Sequence, residues 1–155
     1  MNIAAKIIEK CGAQGATIAT AESCTGGLIS VALTDISGAS AVYTHGFITY
    51  ANAAKIEMLG VPETLLVQHG AVSEAVARAM AEGARRKACS TYAVAVTGIA
   101  GPSGGSAEKP VGLVHIAAAS ATRTLHVREV FAGDRAQVRA QATERTLRLL
   151  AELVG

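Results

Sequence analysis

Apolar residues recur along this chain with two alternating periods. Ile3, Ile7, Ile8 and Cys11 share one face of a 3.6-residue repeat interrupted by Lys6, Glu9 and Lys10, which predicts an amphipathic first helix with Gly12 as its stop. Thr17 to Ala21 predicts a short strand, Leu28 to Ile36 a helix ending near Gly38, and Val42 to Tyr50, rich in β-branched and aromatic residues, a second strand. Ala53 to Leu59 predicts a short helix stopped by Gly60, and Pro62 fits the first turn of another. The clearest helical pattern spans Ser73 to Lys87: Ser73 caps it, Val76, Ala79, Met80 and Gly83 or Ala84 line one face, and Arg85, Arg86 and Lys87 suit its C-terminal dipole. Tyr92 to Val96 is apolar throughout and predicts a central strand. Val111 to Ala119 and Thr124 to Phe131 are strands joined by so short a link, Ser120 to Arg123, that they must form an antiparallel hairpin. A last helix opens at Asp134, with Gln137 completing a capping box, and runs to about Leu153 with Val138, Ala142, Leu149, Leu150 and Leu153 inward.

Helices separate the first three strands, which makes those strands parallel, whereas a Gly-rich loop alone links the third to the fourth. The expected fold is therefore a three-layer α/β/α domain with a mixed five-stranded sheet, order 2-1-3-4-5 with strand 4 antiparallel, forming a single domain over residues 1–155. Composition sharpens this picture, because half the residues are hydrophobic yet only 3% are aromatic, as expected for helices packed closely on a buried sheet. A net charge of +2 with scattered arginines argues against a nucleic-acid partner. No apolar run is long enough to cross a bilayer, and the charged N-terminal pattern is that of a helix rather than a signal peptide. Cys11, Cys24 and Cys89 are odd in number and lack metal-ligand or disulfide spacing, which points to a reducing cytoplasm and to no metal.

In open α/β sheets ligands bind beyond the carboxyl ends of the parallel strands. Three segments with chemistry end there. Ala21-Glu22-Ser23-Cys24-Thr25-Gly26-Gly27 turns from the first strand into a helix, presenting a hydroxyl nucleophile at Ser23 and backbone N–H groups around Thr25, Gly26 and Gly27. Ser23 has an ordinary alternative as a helix cap, although Thr25 or Gly26 lies closer to the helix start and would free it. Cys24 reads as a small buried residue rather than a rival nucleophile. Lys55 follows the second strand by one turn, either as a solvated charge or, if desolvated beside Ser23, as a general base; Tyr50 at that strand's end either packs or orients the pair. Thr97 ends the third strand. The loop Gly98 to Gly105, including Gly101 and Gly104, matches neither a P-loop nor a dinucleotide fingerprint and reads as a backbone cradle for an anion, with Lys109 just beyond it. Arg135, in the first turn of the last helix where a cation is disfavoured, invites a ligand phosphate. His45, His69, His115 and His126 have no ligand spacing and receive no role.

With these residues in view, the chain resembles the CinA C-terminal domain family, the nicotinamide-nucleotide amidases of the PncC type. The resemblance covers nearly the whole chain through ordered matches: Ala21 to Gly27, Ala54-Lys55-Ile56 with Leu59-Gly60-Val61, His69 to Glu74, Ala95 to Pro102, Glu108 to Gly112, and Phe131 to Arg135. It implies hydrolysis of nicotinamide mononucleotide to nicotinate mononucleotide and ammonia, with no cofactor, Ser23 as nucleophile, Lys55 as base, Tyr50 and Thr97 in support, and a homo-oligomer. The family usually carries Ser-Asn-Glu between the tyrosine and Ala-Lys, whereas Ala51-Asn52-Ala53 stands here, removing polar groups near the site. The alternative from a different class is a non-catalytic module that senses a nucleotide or docks a partner linked to competence or DNA damage. The lack of a basic stripe and the scarcity of aromatics oppose direct DNA contact.

Overall fold

The computed structural model describes all residues from Met1 to Gly155. Five strands form one sheet in the order β2-β1-β3-β4-β5. They are β1 (Ile18–Glu22), β2 (Tyr43–Ile48), β3 (Tyr92–Gly98), β4 (Leu113–Ala119) and β5 (Thr124–Val130). β1 pairs in parallel with both β2 and β3, and β4 runs antiparallel to β3 and β5, as the pattern of connections predicts. The helices are α1 (Ile3–Gln14), α2 (Leu28–Thr34), α3 (Asn52–Leu59), α4 (Glu63–His69), α5 (Glu74–Ala88) and α6 (Arg135–Val154). No helix is long and apolar enough to cross a membrane.

Strand alternation divides the core into two chemically different faces. Ile18, Val94, Val96, Val114 and Ile116 point towards α1, α2 and α6, where Ile7, Ile29, Leu33, Leu149 and Leu150 complete the larger core. Ala19, Ala21, Ala93, Ala95, Ala117 and Ala119 point the other way, and α5 answers with Ala77, Ala81 and Ala84 around Met80. Small residues on both sides let α5 lie close to the sheet. This is where the low aromatic content of the chain is used.

Local chemistry sets the helix limits. Ser73 accepts a hydrogen bond from Val76 N at the start of α5, and Asp134 and Gln137 form the expected capping box on α6. Gly12 does not stop α1. The helix runs one turn further, and Gly15, at φ 66°, supplies the left-handed residue that ends it by donating its N–H to Cys11 and Gly12 carbonyls. Pro62 stands just outside α4, at its N-cap, rather than in its first turn. β4 begins two residues later than its apolar run, because Gly112 sits at φ 92°, where a Cβ would lie 2.1 Å from the Phe131 carbonyl oxygen.

Gly83 marks the closest helix contact, since a Cβ there would meet the Leu59 carbonyl oxygen at the end of α3 at 2.1 Å. Intrinsic propensity favours alanine over glycine inside a helix by about 0.5–1 kcal/mol. Overpacking here outweighs that gain, so Gly83→Ala is expected to destabilise the fold by about 1–3 kcal/mol in urea unfolding. An unchanged or higher midpoint contradicts the close α3–α5 approach.

Candidate active site

Strand order reverses around β1, so the crevice of the fold opens where β1 and β3 end. The ladder continues one step past the strand ends: Ser23 N donates to the Val96 carbonyl at 3.1 Å, and Thr49 N donates to the Glu22 carbonyl at 2.9 Å. Thr49, Ser23 and Thr97 therefore stand side by side on the face that α5 covers.

Lys55 reaches this row from α3. Its Nζ lies 3.1 Å from Ser23 Oγ, 2.9 Å from the Thr49 carbonyl and 3.1 Å from the Tyr50 carbonyl. Lys55 is 1% exposed and Ser23 8%. No carboxylate pairs with the amine, and burial holds its pKa below the ordinary lysine range, only partly offset by the Cys24 thiol nearby. When the amine is neutral, the two carbonyls take its two N–H bonds and its lone pair is left for the Ser23 hydroxyl. That is the geometry of a general base on a nucleophile. The neighbouring Cys24 is a poor competitor, because burial pushes its thiol up to about 11.

The turn after Ser23 is held by two side chains that the sequence pattern did not single out. Glu22 is fully buried. Its Oε1 accepts from Thr25 Oγ1 at 2.7 Å, Gly27 N at 3.1 Å and Ile29 N at 2.9 Å, and its Oε2 from Ser30 N at 3.0 Å and Ser30 Oγ at 2.6 Å. Neither Thr25 nor Gly26 caps α2; the carboxylate of Glu22 does so from the preceding strand. Arg139 donates to the carbonyls of Cys24 at 3.0 Å and Thr25 at 3.2 Å from the other side. Its signal in the sequence was its place one helical turn after Arg135. Glu22 had a signal too, as an acid ending an otherwise apolar strand.

This bracing sorts the backbone donors of the turn. The N–H of Gly27 belongs to Glu22, that of Gly26 to the Ser23 carbonyl and that of Ser23 to Val96. The amides of Cys24 and Thr25 donate to no other residue, and they directly follow Ser23, where such donors could receive a developing negative charge.

Among the remaining predicted residues Tyr50, Arg135 and the Gly101 loop build a rim, and no side chain among them bonds to Ser23 or Lys55. The Tyr50 side chain is 61% exposed, and its hydroxyl accepts from Arg135 Nη2 at 3.1 Å, so its link to Lys55 runs through its carbonyl. Arg135 Nη1 donates to the Gly101 carbonyl at 2.9 Å, which ties the Gly-rich loop to Tyr50. Gly98 lies tight against β4, with a Cβ position 2.7 Å from Val114 Cγ2, while Gly101 and Gly104 hold φ values of 84° and 94°. Thr97 Oγ1 donates to the Ala71 carbonyl at 3.0 Å and anchors the turn before α5. Lys109 Nζ donates to the His69 carbonyl and is not aimed at an open anion site. Opposite Thr97 in the sheet, His115 Nδ1 and His126 Nε2 are 2.9 Å apart; burial above all pushes His115 down to about 4. A concavity of about 840 Å³ between α1 and α6 contains none of these residues.

The CinA C-terminal domain model matches residues 1–154. The chain belongs to this family. Among its relatives, the nicotinamide-nucleotide amidohydrolase PncC of Escherichia coli is 51% identical over 151 residues, 97% of this chain and 92% of that protein. A CinA-like protein of Anaeromyxobacter dehalogenans is 54% identical over 144 residues, but these make up 93% of this chain and only 35% of that protein. The chain thus spans about a third of such longer members. The crystal structure of the competence/damage inducible protein CihA from Agrobacterium tumefaciens superposes with a TM-score of 0.97 at 47% identity, covering 99% of this chain and 94% of that one.

Glu22 tests how the family's turn is held. Glu22→Gln replaces an acceptor by an amide that must point N–H bonds at N–H donors. It is expected to destabilise the protein by about 1–3 kcal/mol in urea unfolding. A variant as stable as the parent contradicts a structural carboxylate.

Proposed function

We propose that this chain is an amidohydrolase that converts nicotinamide mononucleotide to nicotinate mononucleotide and ammonia, with Ser23 as nucleophile and Lys55 as general base. The observation that carries this reading is the buried contact of Lys55 Nζ with Ser23 Oγ at 3.1 Å, without a carboxylate to keep the amine charged. The 51% identity to the nicotinamide-nucleotide amidohydrolase of E. coli supports the substrate.

In the proposed cycle Lys55 takes the Ser23 proton as Oγ attacks the carboxamide carbon. The carbonyl electron pair moves to oxygen, which the free amides of Cys24 and Thr25 receive; one such donor is commonly worth about 3–4 kcal/mol of barrier. The C–N bond then breaks as Lys55 returns the proton to nitrogen, and ammonia leaves. Water attacks the ester, Lys55 takes its proton, and Ser23 is restored as the carboxylate product departs. Each step uses groups of this chain alone. Arg135, with N–H bonds beyond those on Tyr50 and Gly101, serves the 5′-phosphate at the rim, together with the loop from Gly98 to Gly104. Thr97 fixes the turn at Ala71 beside the site. The three free thiols fit a reducing cytoplasm.

Self-association belongs to the same reading. Val31, Ile48, Tyr50, Ile56, Met58 and Val67 are exposed on β2 and its flanking segments, and β2 is an open sheet edge without a charged residue. Light scattering is expected to show an oligomer for the parent and a smaller species for Ile48→Lys.

Lys55 fixes the pH behaviour. Its folded pKa lies below its unfolded one, so between those values the unfolded chain binds the extra proton. Stability from this group is therefore least below the folded value and rises with pH across that window. Turnover needs the neutral amine, so kcat/KM for nicotinamide mononucleotide rises along an acid limb set by Lys55. Ser23→Ala is expected to cut ammonia release by at least about a thousandfold while leaving the thermal midpoint in place. Normal turnover by that variant would falsify the nucleophile assignment.

A further inference from the structure

Thr49 Oγ1 is the only sealed side-chain nitrogen or oxygen in the molecule without a hydrogen-bond partner. It belongs to a residue fully enclosed at the end of β2. Buried hydroxyls are almost always satisfied, and valine offers the same shape without the unmet polar group. The orphan also sits at a telling place. Thr49 is the lateral neighbour of Ser23 on the same face, at the inter-strand spacing of about 4.8 Å, and its own carbonyl accepts from Lys55 Nζ at 2.9 Å.

The two sides of Ser23 differ in chemistry. The free amides of Cys24 and Thr25 lie along the turn that follows it and suit the developing oxyanion. Lys55, held by the Thr49 and Tyr50 carbonyls, lies on the β2 side. In an amide hydrolysis the nitrogen must face the amine that protonates it. The departing nitrogen therefore lies on the side of Ser23 where Thr49 stands.

We propose that Thr49 Oγ1, closed off in the free protein, is uncovered as substrate enters and then accepts an N–H bond from the primary carboxamide and from the tetrahedral amine that follows it, turning the nitrogen lone pair towards Lys55. No proton moves through Thr49. The hydroxyl selects for a primary amide, because the N–H it receives is absent from an ester. This inference rests on the amidase reading above, and its test separates the two.

The parent, Thr49→Val and Thr49→Ser are assayed on nicotinamide mononucleotide and on the methyl ester of nicotinate mononucleotide, with thermal midpoints recorded. Thr49→Val is expected to keep or raise the midpoint and to lose roughly ten- to a hundredfold in kcat on the amide. Its loss on the ester is expected to be at least about tenfold smaller, and Thr49→Ser is expected to restore most of the amide rate. Equal losses on both substrates, or no loss on the amide, overturn the role of Thr49 and leave the amidase intact. A parent chain that releases no ammonia overturns both.

Discussion

A buried amine with no counter-charge is the constraint around which this molecule is arranged. Lys55 is among the largest fully enclosed side chains, and its only partners are two backbone carbonyls and one hydroxyl. An ammonium in such a place costs several kcal/mol unless it is paired, and a carboxylate would relieve that cost by holding the proton in place. The absence of one leaves deprotonation as the relief, which in the proposed mechanism makes a free amine lone pair available to Ser23. Stability and chemistry are coupled through the same atom.

The acid that does lie nearby is kept away from the amine by a different task. Glu22 ends β1 on the opposite face from Ser23, as strand alternation requires. There its five hydrogen bonds saturate the start of α2 and the Thr25 and Ser30 hydroxyls. With Arg139 on the Cys24 and Thr25 carbonyls, the turn is gripped by its carbonyls and by its later amides. What remains ungripped is the pair of amides just after Ser23. The α2 dipole is thus answered by the protein itself, which leaves the helix start closed to an outside anion.

The architecture was legible from the sequence because periodicity carries most of its information. Alternating alanines against branched residues, an apolar third strand and a link too short for a crossover define the layers and the strand order. Ser23, Lys55 and Thr97 were legible because topology sends the ends of β1, β2 and β3 to one edge. Gly12 misled because a glycine can lie inside a helix when the left-handed residue comes later, at Gly15. Tyr50, Lys109 and Glu22 depend on where long side chains turn after the backbone is set. Tyr50 meets Arg135 rather than the amine, and Lys109 caps the end of α4. No spacing rule encodes a contact between residues 85 positions apart, such as Tyr50 and Arg135.

Depth separates two kinds of work in the site. Ser23, Lys55, Thr49 and Thr97 lie on a dry floor where a misplaced dipole is costly and a well-placed one is strong. Tyr50, Arg135 and the Gly101 loop meet above it as an exposed rim drawn from three separate segments. A ligand gripped at such a rim gains binding energy far from the reacting bond. That energy aids turnover only to the extent that it drives the amide into the floor. The rim has the reach and charge to hold the far end of an anionic substrate. Under the proposed reading a carboxamide completes the floor, where the Thr49 hydroxyl is unpaired and the Cys24 and Thr25 amides donate to no other residue. In the proposed mechanism substrate binding supplies the hydrogen bonds that folding alone leaves unmade, and those bonds strengthen as the tetrahedral centre forms.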